Sequence, residues 1–348
     1  MSTHHHPTAG PRHAAVVYNP VKTPLERLRN VVTEYEVQHG WAQTGWHETS
    51  SDDSGRSAAE GALASTPAVV MVAGGDGTVR AVAEAMQQTG VPIALVPLGT
   101  GNLLARDVGV PLNDIAACVS AAFAGVDRSV DVGVAELEDE SGSRRTHTFM
   151  VMAGIGLDAA MAESTSAIAK KHLGWFAYVA PIARSVILNK LFHLDFRIDG
   201  GRVRSTQAHT VIVGNCGTLT GNILLIPAAT IDDGLLDVVM MRPAGRFGWA
   251  RIGTRLTLQG LARRSRLTRM FLQQSPELHS LAYVQGRRFD ARFTVPHLIE
   301  LDGDSFGHVI RVRVSVRPGA LRVRTPIRSD AVEGNPTSRG ASQEGRWS

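Results

Sequence analysis

Short apolar runs alternate with polar, Ala-rich stretches over the first third of the chain. Ala14-Ala-Val-Val-Tyr-Asn19-Pro20 predicts a buried strand ending in a turn, and Pro24 to Gln38 predicts a helix. Trp41 to His47 reads as a second strand and Ser51 to Ala64 as a helix. Ala68-Val-Val-Met-Val-Ala-Gly74 is a third buried run, and helix-forming Arg80 to Gln88 follows at once. Val91 to Pro97 is a fourth; it ends in Leu98-Gly99-Thr100-Gly101-Asn102 and runs into Leu103–Arg106, and from Asp114 an Ala-rich helix extends through Phe123. This β-then-α alternation predicts a parallel sheet with helices on both faces. Ligands then belong at the carboxyl ends of the strands, where both glycine turns lie.

From about Ser129 the pattern changes to period two, in Ser129–Ala135, His147–Met152, Leu194–Ile198, Ala208–Val213, Leu235–Met240 and Val309–Val316, with Gly, Asp and Asn turns between. That predicts a second, mostly antiparallel β domain. The expected division is residues 13–134 for the α/β domain, completed by about 317–326, and 135–316 for the β-rich one, with polar, disordered ends at 1–12 and 327–348. Two segments interrupt the β pattern. His172–Leu188, with Trp175, Phe176 and Tyr178, is too short to span a bilayer and reads either as the wall of an apolar cleft or as core. Arg242–Gln274 holds eight arginines and no acid, interleaved with Phe247, Trp249, Ile252, Leu256, Leu267 and Phe271. That composition suits an interfacial basic helix on anionic lipid; a solvated surface helix is the competing account, and no nucleic-acid recognition fold accompanies it.

Composition narrows the class. The chain has 348 residues, enough for two domains, and its 43% hydrophobic and 20% charged content is that of a globular protein with a sizeable core. No apolar run reaches the length of a membrane span and no signal-peptide pattern opens the chain, so the expected place is the cytoplasm. Two cysteines, Cys118 and Cys216, give neither a disulfide framework nor a zinc-ligand spacing. A net charge of +4 favours anionic partners.

The chemistry concentrates at Gly74-Gly75-Asp76-Gly77-Thr78. A strand, glycine turn and helix present backbone N–H groups to a phosphate, with glycines permitting positive φ and close approach. Asp76 repels a phosphate unless it holds Mg²⁺ or takes a proton; as a plain turn it is an N-capping residue. Asn19, Gly99, Thr100 and Asn102 stand at neighbouring strand ends, where they bind nucleotide or serve as turn residues. No Gly-x-x-x-x-Gly-Lys-Ser/Thr pattern occurs, which excludes a P-loop enzyme.

On these motifs the sequence resembles the diacylglycerol kinase catalytic-domain family, particularly bacterial soluble lipid kinases related to sphingosine kinases, with a more distant likeness to NAD kinases. The resemblance rests on Gly74–Thr78, Pro97-Leu-Gly-Thr-Gly-Asn102, Ala153-Gly-Ile-Gly-Leu-Asp158-Ala159, Asn215, Ile226-Pro-Ala228, Asp232-Asp-Gly-Leu235 with Asp237, and Asp302-Gly-Asp304 where the family carries Asp-Gly-Glu. It implies an α/β nucleotide-binding domain like that of NAD kinase and phosphofructokinase, with a β-rich antiparallel sandwich-like lipid domain. It further implies transfer of the γ-phosphoryl group of ATP, with Mg²⁺, to the hydroxyl of a lipid such as diacylglycerol or a sphingoid base, at the inner face of a membrane. An NAD kinase and a binding protein without catalysis are the alternatives, and a homodimer stays open.

The resemblance assigns Asp304 as catalytic base with Asp76 assisting or binding Mg²⁺, against a plain Asp-Gly hairpin turn. It places Asp131 in the acidic network, against an outward-facing strand residue, and makes Asp232, Leu235 and Asp237 ligands of a structural Mg²⁺, against a solvated turn. Asp158 meets the lipid head group or caps a helix. Three departures stand out: Asn19-Pro-Val-Lys-Thr23 lacks the glycine usual after Asn-Pro, Leu103 stands where many bacterial members carry Asp, and Asp304 is one methylene shorter than Glu.

Overall fold

The apolar runs of the first third become the centre of a parallel sheet. The structure is a computed structural model that describes residues 11–156, 191–217, 229–242 and 281–327. Asp158, the Ile226-Pro-Ala228 motif, His172–Leu188, the chain termini and all of Arg242–Gln274 beyond Arg242 lie outside the described residues.

The first part comprises β1 (Ala14–Tyr18), α1 (Leu25–His39), β2 (Gly45–Glu48), α2 (Arg56–Ala64), β3 (Val69–Gly74), α3 (Asp76–Met86), β4 (Ile93–Pro97), α4 (Leu103–Val108) and α5 (Ile115–Ala124). Strands β1, β3 and β4 are buried at every residue, as strands covered by helices on both faces must be. They pair in parallel in the order β4-β3-β1-β2. In α5 the cap is the expected one: the Asp114 carboxylate accepts the Ala117 N–H at 3.0 Å. The turn Ser51–Gly55 precedes α2, so that helix starts five residues later than its pattern predicts.

The remainder is antiparallel: β5 (Val126–Glu138), β6 (Arg144–Phe149), β7 (Met152–Ile155), β8 (Phe192–Ile198), β9 (Arg204–Ala208), β10 (Thr210–Gly214), β11 (Leu236–Met241), β12 (Leu281–Gly286), β13 (Arg288–Leu301) and β14 (Asp304–Thr325). Period two fails at β5, where Val130 to Ala135 are buried without a break. Asp131 therefore does not face outward: it is 2% exposed, and its two carboxylate oxygens accept the N–H groups of Gly234 (2.6 Å) and Gly319 (2.7 Å). The outward-facing account is wrong because both faces of the strand are covered here.

Strand β14 ties the parts together. Its first half pairs antiparallel with β13, and its length from Arg311 onward pairs with β5. At its end, Val323 sits parallel to Ile93 at the edge of β4. One hydrophobic core lies around β1, β3, β4 and their helices and takes in Leu321 and Val323; a second fills the antiparallel part, with Phe149, Phe289, Leu194 and Val312.

Candidate active site

Gly74 and Pro97 are register partners at the carboxyl ends of β3 and β4, so the two glycine loops lie side by side. Their glycines answer to crowding. None of Gly74, Gly75, Gly77, Gly99 and Gly101 has positive φ, contrary to the expectation from sequence. The left-handed residue of these loops is Asn102, at φ 49°. A Cβ on Gly99 would lie 2.7 Å from the Gly75 Cα, and one on Gly101 only 2.5 Å from the Asp76 Oδ2. Side chains at these positions would push the loops apart.

Asp76 is the clasp between them. Its Oδ2 accepts the Asn102 N–H at 2.8 Å and its Oδ1 accepts the Leu103 N–H at 2.6 Å, so it caps the start of α4 and not of its own helix. Burial and the negative charge of Asp304 raise its pKa, while these N–H groups oppose the rise. The Asn102 amide is spent on the loop as well, accepting from the Gly99 N–H (2.9 Å) and donating to the Gly99 carbonyl (2.8 Å). Leu103, at the position of the family's Asp, is a core residue. Thr100 is exposed, and Thr78 is buried against Gly74.

Asp302-Gly303 is a hairpin turn with both residues at positive φ, 50° and 88°, as a two-residue type I′ turn requires. The turn serves the site by delivering Asp304, the first residue of β14, against Gly77: a Cβ there would be 2.9 Å from Asp304 Oδ2. The hairpin reading and the active-site reading of this motif are thus compatible. Asp302 itself is buried beneath and accepts the N–H groups of Met150, Val151 and Met152 at 2.7–3.0 Å. Burial pushes its pKa up to about 6, against the pull of those donors and of Arg80.

Arg80 was not anticipated. It is buried, donates from Nη2 to Asp304 Oδ2 at 3.1 Å, and stacks its guanidinium over Phe306 at 4.7 Å. Its signal in the sequence is spacing, since a residue four after Asp76 lies on the same helical face.

The loops after β1, β2 and β3 enclose a polar cavity of about 240 Å³ lined by Asn19, Lys22, Ser50, Ser51, Ser54, Gly77, Thr78 and Asp304. Asn19 Oδ1 accepts the Val21 and Lys22 N–H groups, so part of this side chain is the turn residue its second reading foresaw. The serines come from the β2–α2 connection and carry no motif of their own.

The proposed metal ligands are placed differently from one another. Asp232 is at the surface, where its Oδ2 accepts from both Nε and Nη2 of Arg128 at 2.9 and 2.7 Å, a partner that competes with any cation for that oxygen. Asp237 is buried; its Oδ1 accepts from Tyr283 and Gln285, while its Oδ2 is buried without a partner. Burial raises the pKa of Asp237, and burial with the charges of Asp237, Asp131 and Asp232 raises that of Asp233. An orphaned carboxylate oxygen among like charges fits a cation at Asp237. Asp131 is committed to backbone, and Leu235 lies in the same turn, its N–H bonded to Asp233. Among the described residues no group of three or more His, Cys, Asp or Glu side chains is gathered around one point.

Comparison with known proteins agrees with this arrangement. Residues 13–135 match the diacylglycerol kinase catalytic domain, and residues 151–325 match the YegS C-terminal NAD kinase beta sandwich-like domain. A protein of Pseudomonas aeruginosa named a probable lipid kinase YegS-like is 30% identical over 300 residues, covering 83% of this chain and 86% of that protein. A diacylglycerol kinase of Mycobacterium tuberculosis is 29% identical over 187 residues, covering 53% of this chain; the match spans only 58% of that relative's length. The crystal structure of a diacylglycerol kinase from Bacillus anthracis superposes with a TM-score of 0.62 at 19% identity, over 91% of this chain and 98% of that one, a likeness of fold.

Proposed function

The chain belongs to the diacylglycerol kinase catalytic-domain family of lipid kinases, and from that premise we propose that it transfers the γ-phosphoryl group of ATP to the hydroxyl of a membrane lipid. The observation that carries the proposal is the half-exposed Asp304 carboxylate, which lines one polar cavity together with Gly77 and Thr78. A phosphate cradle and a proton acceptor side by side are what phosphoryl transfer to an alcohol needs.

In this reading the backbone of Gly74–Thr78 and the hydroxyls of Thr78 and Ser54 hold the phosphates, while the Ser50 and Ser51 hydroxyls donate to the carboxylates of Asp53 and Asp52 (3.1 Å each) and shape the loop. The acceptor oxygen attacks the γ-phosphorus, its proton passes to Asp304, the bond to the β-phosphate oxygen breaks, and ADP leaves. Arg80 holds the carboxylate of Asp304 through its Oδ2. Mg²⁺, when bound with the nucleotide, supplies charge neutralisation on the phosphates, and a structural ion is best served by Asp237. Asp76 orders both loops and acts on the chemistry through them. Asp158 and the anionic-surface role of Arg242–Gln274 belong to the same proposal on sequence grounds, as does a peripheral position at the inner face of the membrane.

Radiolabelled ATP offered with mixed-lipid vesicles, and in a parallel tube with NAD, tests the reading. Labelled lipid is the expected product, and Asp304→Asn should lower its formation by about 10²-fold or more. Labelled NAD without labelled lipid would assign the chain to the other branch of the fold.

A further inference from the structure

The first loop departs from its family by carrying Asn19-Pro-Val-Lys-Thr23 in place of a glycine-bearing turn, and the nucleotide reading above makes no use of the departure. The loop is well held. Asn19 donates its N–H to the Ala73 carbonyl at 2.9 Å, the N–H groups of Lys22 and Thr23 return to the Asn19 carbonyl, and the Thr23 hydroxyl bonds the Ala73 carbonyl at 3.3 Å. The neighbouring Val21 is 92% exposed, and Lys22, also exposed, lines the cavity. The Lys22 Nζ lies over Gly75: a Cβ built on that glycine would be 3.1 Å from it. Gly75 is the residue before α3, and no side chain caps that helix start. Lys22 forms no ion pair with any described carboxylate, and Asp304, on the same cavity, is engaged by Arg80.

An ammonium without an ion-pair partner among the described carboxylates, a helix N-terminus without a side-chain cap, and the Thr78 and Ser54 hydroxyls around one small cavity share a complement, which is a multiply charged phosphate chain. We propose that Lys22 is the phosphate-binding cation of this active site, contacting the polyphosphate of the nucleotide and discriminating triphosphate from less charged ligands. The inference rests on the nucleotide reading of the cavity. It adds a residue by which this chain does, with a side chain, what a glycine loop leaves to backbone and metal. A lysine suits the task as a compact charge on a flexible stem.

The test measures ATP and ADP binding directly, without lipid, on the full chain as wild type, Lys22→Gln and Lys22→Arg, by calorimetric titration in buffered MgCl2. The expected result is that Lys22→Gln weakens ATP binding about tenfold or more, as for a charge-assisted hydrogen bond to a charged ligand, weakens ADP binding less, and keeps the wild-type melting temperature. Lys22→Arg should remain within a few-fold of wild type. ATP binding by Lys22→Gln equal to that of wild type would overturn the proposal. Equal weakening in the Gln and Arg variants would overturn it too, because loop shape and not charge would then be at issue. A wild-type chain that binds no ATP defeats the nucleotide reading itself, a result the unmutated protein reports by itself.

Discussion

At the residue scale, Asp76 shows how far a motif and its physics can differ. An acid in a glycine loop that suits phosphate invites assignment to metal or proton, yet both of its oxygens accept backbone N–H groups across the gap to α4. Asp76→Asn must turn an NH2 toward one of those N–H groups, leaving a donor facing a donor. The expected loss is about 1–2 kcal/mol of stability, the scale of a lost cap, and a drop in turnover follows because Gly99 and Gly75 no longer lie against each other. Urea unfolding with a parallel kinase assay checks both; full activity with unchanged stability would reduce the clasp to a bystander. The residues that sequence reading reached here were those bearing a motif: Asn19, Gly74 to Thr78, Asp304. Those it missed, Lys22, Arg80 and the three serines, are ordinary residue types whose meaning comes from loops that meet only after β1, β2 and β3 pair.

At the scale of elements, the Asp302-Gly303 turn couples the site to proton concentration. In an unfolded chain an Asp titrates near 3.9; in the fold burial holds Asp302 at about 6. Between those values the folded state binds the proton more tightly, so this group's contribution to stability is fully present below the lower value and is lost as pH rises through the upper one. The size is on the order of 2–3 kcal/mol. Urea titrations of wild type and Asp302→Asn at several pH values isolate it: the wild type's margin over the variant should shrink from pH 4 to pH 7 and stay level above. A margin that widens over that interval would refute the assignment. Element by element, continuous apolar runs such as Val69–Gly74 were legible because both faces are buried. The 14-residue β13 was not, since Pro296 and register shifts between Arg292 and His297 and again between Leu298 and Glu300 break its alternation.

For the molecule as a whole, the membrane is the part of the proposed chemistry that the described residues do not reach. No helix among them is long and apolar enough to cross a bilayer, and the basic segment speaks through its sequence alone. Replacing Arg263, Arg264, Arg266 and Arg269 by Gln should weaken binding to anionic vesicles by a few kcal/mol, at about 1 kcal/mol per charge, and flatten its salt dependence. Phosphorylation of a short-chain, water-soluble lipid should survive. Sedimentation with vesicles measures the first, and undiminished binding by the variant would point the segment toward protein partners.

The 22 residues of β14 also set an order of events during synthesis. The edge of β4 that Val323 and Arg324 complete is made more than two hundred residues before its partner. At ordinary ribosomal rates the wait is roughly 10 to 45 s. Throughout it the α/β part presents Ile93–Pro97, a strand buried at every position in the finished fold, as an open edge beside its glycine loops. A protein built this way has no closed α/β sheet until β14 arrives, so the proposed site is assembled late, with Asp304 and the strand that closes the sheet coming from one continuous piece of chain.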